Sequence, residues 1–138
     1  MATITEKFSI STNGFDDVID LTSKIQSIVS NLPERDGLAH IQVMSSTASI
    51  VTIEYEPGIV VDLPELLSNL VPINNVYKHD NSWHEGNAFA HLRASLLGNS
   101  VTMSVVDRKI ELSSSQQIIL IDFDNKPRKR EIIVSVVY

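Results

Sequence analysis

The chain contains no cysteine, a single tryptophan and only four histidines among 138 residues. Without thiols neither a disulfide framework nor a thiolate metal site can form, so any metal must be held by His, Asp or Glu. Basic residues are also scarce: 11 Lys and Arg stand against 17 Asp and Glu, a formal charge of -6. Nucleic-acid affinity rests on clustered Lys and Arg, so no nucleic-acid partner is expected. No apolar run approaches the ~18 residues of a membrane span, and the opening MATITEKFSI lacks the apolar core of a secretory leader. The reading is a soluble, cytoplasmic protein with no membrane partner. No repeat or linker-like tract interrupts the chain, and a hydrophobic content of 43% is ordinary for a globular protein. One domain over residues 1–138 follows, within the usual span of about 100–200 residues.

Three helices are legible. In DDVIDLTSKIQSIVSNLP, Leu21, Ile25, Ile28 and Leu32 recur at helical spacing, with Asp16 or Asp17 as N-cap and Pro33 at the end. In DLPELLSNLVP, Asp62 and Glu65 are spaced as a capping box, Pro64 falls in the tolerated first turn and Pro72 follows the end. Asn87 can cap AFAHLRASLL, with Gly98 beyond its end and Phe89, Leu92 and Leu96 as its apolar face. KFSI, LAHIQVM, SIVTIEY, VTMSVV, QIILIDF and EIIVSVVY are β-branched and read as strands, the last three as an antiparallel meander turned by VDRK and DNKPRK. The expected class is α+β, a largely antiparallel or mixed sheet with about three helices packed on it.

Three of the four histidines, His79, His84 and His91, crowd into KHDNSWHEGNAFAHL. On the third helix His91 lies about 200° from Phe89, away from the core face, and Ser95 shares its side. His79 and His84 precede the helix in a polar segment that can fold back on its first turns. Three imidazoles with an open position would make a zinc-type site, with Asp80 or Glu85 orienting a ring. The spacings match no regular metal motif, and surface histidines on a polar loop are the plain alternative. Glu54, in the strand TIEYE, is either a general base or metal ligand or a solvent-facing residue. Arg128 and Arg130 in KPRKR can clamp a phosphate or form a solvated turn. Ser45, Ser46 and Thr47 can bind an anion through hydroxyl and backbone N–H groups. Tyr77 and Trp83 bracket the histidine loop and either stack on a ligand ring or pack the loop onto the sheet.

From SSTASIVTIEYEPG through DL, VP, YKHD, WHEGNAFAHLRASLLGNS and SSSQQIILIDFDNKPRKR, residues 5 to 138 resemble the YjbQ-like family, often called secondary thiamine-phosphate synthases. The resemblance implies a compact α+β subunit, a homotrimer, and a histidine-bearing pocket near the subunit contacts for a metal or an anion. The family pattern falls on Glu54, Asp62, His79, Asn87, His91 and Gln116, and His84 matches only part of the family. Two stretches depart from it. Ser45, Ser46, Thr47 and Ala48 stand where many members have His-Thr-Thr-Ala, and Ser113, Ser114, Ser115 and Gln116 stand for Gly-Thr-Trp-Gln. Arg108 also replaces the glycine expected after Asp107.

The implied activity joins a pyrimidine diphosphate to a thiazole phosphate, releasing pyrophosphate. In that reading Glu54, Asn87 and Gln116 are catalytic, and His79, His84 and His91 hold a divalent metal, zinc or magnesium. Ser46, Thr47, Arg128 and Arg130 bind phosphate. The alternative is a non-catalytic trimer that binds a metal or a small phosphorylated ligand.

Overall fold

The computed structural model describes every residue from Met1 to Tyr138, in eight strands and four helices. Five strands form one antiparallel sheet in the order β1 (Thr3–Thr12), β8 (Arg128–Val137), β3 (Gly37–Val43), β5 (Ser100–Val106), β6 (Lys109–Ile110). A second antiparallel sheet sets β7 (Gln116–Asp122) between β2 (Asp17–Asp20) and β4 (Ala48–Glu54). Alternation along β8 and β3 turns Ile132, Val134, Val136, Ala39, Ile41 and Val43 inward. They meet Ile50, Ile118 and Leu120 of the smaller sheet in the main core.

β7 is covered on both faces, which is why its IILI run is continuously apolar rather than alternating. Ile118 and Leu120 join the main core, whereas Ile119, Ile121 and Phe123 join a second one with α2 (Pro57–Leu70) and α4 (Ala88–Leu97). The layers are therefore sheet, sheet, helices. α1 (Thr22–Ser30) inserts Ile25 and Val29 into the sheet–sheet core. No helix is long and apolar enough to cross a membrane.

Several local expectations are corrected. The first helix starts at Thr22 rather than at Asp16 or Asp17, because Asp17–Asp20 pairs with Asp122–Ile119 as β2. The second helix begins a turn and a half earlier than expected. Glu56 accepts the Gly58 and Ile59 N–H groups with Pro57 behind it, so Asp62 and Glu65 are not its cap and Pro64 lies inside it. The last strands are not a meander: β5 pairs with β3 and β6, β7 belongs to the other sheet, and β8 sits between β1 and β3. The VDRK turn does form, with Asp107 and Arg108 both at positive φ, as a two-residue hairpin loop requires. Arg108 offsets that strain by donating to the Leu32 and Pro33 carbonyls at 2.8 and 2.9 Å, anchoring the segment after α1.

On α4 the buried face is Phe89, Ala90, Arg93 and Ala94, while the expected Leu92 and Leu96 are exposed. The helix face is rotated because Arg93, wholly buried, points inward. Its Nε and Nη2 donate to the Val71 carbonyl at 3.2 and 2.9 Å, and its Nη1 lies 3.1 Å from the Asp16 carboxylate. Arg93 thus ties α4, the end of α2 and the β1–β2 arch together.

Candidate functional site

A fourth helix, α3 (Lys78–Trp83), forms where a polar loop was expected, and it delivers His79 to α4. The Asp80 carboxylate accepts the Ala88 N–H at 3.1 Å and so caps α4 from outside. Asn87 stands at the N-cap position as expected, but its side chain makes no capping bond. Instead its Nδ2 donates to Asp124 at 3.3 Å, and its Oδ1 lies 3.2 Å from His79 Nε2. The His79 and His91 rings meet edge to face with centroids 4.7 Å apart. His84 ends α3 in the left-handed conformation and is exposed. Two of the three predicted imidazoles are brought together and the third is not, and no group of three His, Asp or Glu side chains converges in a metal-holding arrangement.

Beside this pair, Asp122 and Asp124 form a buried charge lattice with the arginines of β8. Arg130 grips Asp122 bidentately, Nε to Oδ2 at 2.6 Å and Nη2 to Oδ1 at 2.9 Å, and donates to Thr47 Oγ1 at 2.7 Å. Thr12 of β1 adds a 2.6 Å bond to Asp122, so this lattice closes the end of the gap between the two sheets. Asp124 accepts from Thr47 Oγ1 at 3.0 Å, from the Asn125 N–H at 2.8 Å and from Arg128 Nε at 2.9 Å. Burial opposes its ionisation, but those donors together with Asn87 outweigh it and hold the carboxyl below the usual range. Every buried side-chain polar atom has a partner.

The lattice floors a cleft of about 300 Å³ lined by Ser45, Ser46, Thr47, Glu85, Asn87, His91, Asp124, Arg128 and Arg130, none of them apolar. A second hollow of about 320 Å³ shares Ser45, Ser46 and His91 with it and continues along α4 past Ala94 and Ser95 to Gly98 and Asn99. His91 and Ser95 therefore share an open side, as their spacing predicts. Among the predicted phosphate ligands, Thr47 and Arg130 are engaged in the lattice. Arg128 uses only Nε within the chain, so its two Nη groups are free, and Ser46 is exposed.

Glu54 and Gln116 lie elsewhere. They pair across β4 and β7 at the far end of β4, where Gln116 donates to Thr52 Oγ1 at 3.1 Å. With Ser113, Ser114 and Ser115 they line a separate polar hollow of about 370 Å³. A strand rises about 3.3 Å per residue, so β4 holds this hollow roughly 20 Å from the histidine cleft. Asp62 is exposed on α2, Tyr77 donates to the Pro72 carbonyl at 2.7 Å, and Trp83 is exposed rather than packed on the sheet.

The residues that sequence reasoning missed are Asp122, Asp124 and Arg93. A signal for the first two exists in IDFDNKPRKR: carboxylates two apart share one strand face, and arginines two apart across a turn can face them. Arg93 carried no such signal, because a charge inside an amphipathic helix ordinarily marks the solvent side.

The family model described as UPF0047 protein YjbQ-like matches residues 6–138. A UPF0047 protein of Archaeoglobus fulgidus is 39% identical over 86% of this chain and 89% of its own length. Another from Methanocaldococcus jannaschii is 36% identical over 95% and 92%. Among solved structures, a YjbQ/UPF0047 family protein of Clostridium acetobutylicum shares 30% identity at a TM-score of 0.87, covering 96% of this chain and 99% of its own. A YbjQ-like protein of unknown function from Sulfolobus solfataricus has the same TM-score at 27% identity, covering 98% of each chain.

Proposed function

The chain belongs to the YjbQ-like UPF0047 family, and on that premise we propose that the cleft at Arg128 and His91 binds a small phosphorylated ligand and that the protein is a thiamine-phosphate-forming transferase acting as a homotrimer. The observation that carries the ligand reading is the state of Arg128. Its Nε is fixed on the buried Asp124 while its Nη groups are free at an all-polar cleft. A guanidinium held at one edge offers a preset fork to phosphate oxygens. Ser45 and Ser46 line the same cleft with hydroxyls, and His91 supplies a group able to exchange a proton.

In the proposed reaction the bond from the pyrimidine methylene to the diphosphate oxygen breaks as the thiazole nitrogen forms a bond to that methylene. Arg128 stabilises the charge gathering on the departing pyrophosphate. The trimer reading is supported by exposed Val61, Leu66 and Leu70 on α2 and Leu92 and Leu96 on α4, apolar surface of the kind that subunit contacts cover.

A catalytic zinc takes three protein ligands. One chain brings only His79 and His91 together, so its residues do not complete such a site and no step is routed through a metal. A catalytic zinc at this pair would need a third protein ligand, which one chain does not bring beside it.

The test is turnover of the pyrimidine diphosphate and thiazole phosphate with Mg²⁺, with Arg128→Ala alongside. Thiamine phosphate formed by the parent protein and reduced on the order of 100-fold or more in the variant supports the reading. A trimeric preparation that binds inorganic pyrophosphate but yields no product refutes the transferase. That outcome is expected from the second reading, a non-catalytic phosphate-binding trimer. The observation favouring it is that Glu54 and Gln116 line a hollow at the far end of β4, separate from the cleft that holds His91 and Arg128.

A further inference from the structure

We propose that Asp124 is a positioning residue for His79: acting through Asn87, it holds the imidazole as the Nε2–H tautomer and leaves the ring's lone pair on Nδ1. Each link follows from which atoms can donate. Asp124 is surrounded by donors, namely the Asn125 N–H, Thr47 Oγ1 and Arg128 Nε. A carboxylate so surrounded is ionised and can only accept. The Asn87 amide, 3.3 Å away and buried, must therefore turn its NH₂ toward Asp124. The reverse orientation would set its carbonyl oxygen against the carboxylate, two acceptors facing each other without water.

With the NH₂ committed, Asn87 Oδ1 is the atom facing His79 Nε2 at 3.2 Å. A carbonyl oxygen cannot donate, so the hydrogen of this contact belongs to the imidazole. The neutral ring then carries its lone pair on Nδ1, because the bond made by one ring nitrogen decides the role of the other. This arrangement also explains why Asp80 caps α4: the N-cap asparagine is in use elsewhere.

The arch preceding β2 steadies the backbone of the same residue from behind. Phe15 N–H donates to the Asp124 backbone oxygen at 2.7 Å, and Gly14 packs against it too closely to admit a Cβ. The position of Asp124 is thus set by the arch, the β3–β4 loop and the β7–β8 turn before any ligand arrives. The tautomer does not rest on the phosphorylated-ligand reading above.

The experiment is long-range ¹H–¹⁵N correlation of the histidine rings in uniformly ¹⁵N-labelled protein without phosphate or substrate, with His79 assigned by its loss in His79→Gln. The parent protein is expected to show one Nε2–H form of His79, with a well-separated lone-pair Nδ1. Asn87→Ala is expected to lose this lock and give shifts averaged between tautomers. Asp124→Asn puts the same question one link further back, and Thr47→Val, which removes an Asp124 donor but not Asn87, is expected to keep the lock. An Nδ1–H form or averaged shifts in the parent protein overturn the proposal, and so does a lock that survives Asn87→Ala. Because an Nδ1–H form or averaged shifts in the parent protein refute the proposal without any variant, a variant that fails to fold leaves it open to refutation. Failure here leaves the phosphate reading standing, and absence of phosphate binding leaves the tautomer standing.

Discussion

Replacing Arg93 by Met is the perturbation with the most consequences. The guanidinium is wholly buried and fixes three elements, so its loss removes three distinct interactions. The Val71 carbonyl loses both side-chain donors, at 3.2 and 2.9 Å, and an orphaned buried acceptor costs about 1–3 kcal/mol. The pair with Asp16 counts for less, about 1 kcal/mol, because roughly a fifth of the Asp16 side chain meets solvent and can rehydrate. The guanidinium over the Phe89 ring at 5.2 Å adds about 0.5–1 kcal/mol. Met recovers part of this through its own burial, which leaves an expected loss near 3 kcal/mol, or about 10 °C in Tm for a chain of this size.

The loss should depend on pH. Burial raises the Asp16 pKa and Arg93 opposes that rise, so removing Arg93 raises it further. A carboxyl raised in the folded state favours folding when protonated, so its contribution is present at low pH and lost as pH rises through the raised value. The deficit of Arg93→Met should therefore shrink as pH falls from 7 toward the ordinary carboxylate range. Urea unfolding at fixed protein concentration, from pH 7 downward, measures both features. A deficit under about 1 kcal/mol, or one that stays constant with pH, would refute the reasoning.

Gly14→Ala should cost about 2 kcal/mol or more, because a Cβ there sits 2.5 Å from the Asp124 carbonyl oxygen at a φ of +75°; an unchanged melting temperature would show that the arch yields. Asp124 has a lowered pKa, so it stabilises the fold above the ordinary carboxylate range and that contribution disappears as pH falls through its lowered value. Asp124→Asn should be about 2 kcal/mol less stable at pH 7, with the gap closing on the acid limb, and a gap that persists there contradicts the assignment. Sedimentation equilibrium should find three chains per particle, dissociated by Leu66→Glu or Leu96→Glu; a monomeric parent protein removes the trimer. Elemental mass spectrometry of protein purified without a nickel column should find any divalent metal held by the histidine pair lost in His91→Ala, and equal metal in both preparations detaches it from His91.

The sequence by itself determined the class of fold and the segments that build it. Six of the eight strands and the existence of three helices follow from β-branched runs, helical periodicity and proline or glycine punctuation, all local preferences of the chain. Local preference also announced the histidine cluster, the free side of His91 and Ser95, and the turn at Asp107–Arg108. Tertiary structure decided what local preference cannot weigh. Val18 and Ile19 joined a strand instead of a helix because β7 offered Asp17–Asp20 a ladder to complete. Leu92 and Leu96 stayed outside because Arg93, whose guanidinium finds a carbonyl, a carboxylate and an aromatic ring in the interior, took the inward face. Asn87 exchanged its capping role for a place between Asp124 and His79 because Asp80, seven residues back, could cap the helix for it. Periodicity records which side of an element is apolar. It holds no record of distant donors and acceptors that make a charged or polar side chain better satisfied inside than in water, and those partners fixed the geometry of the cleft.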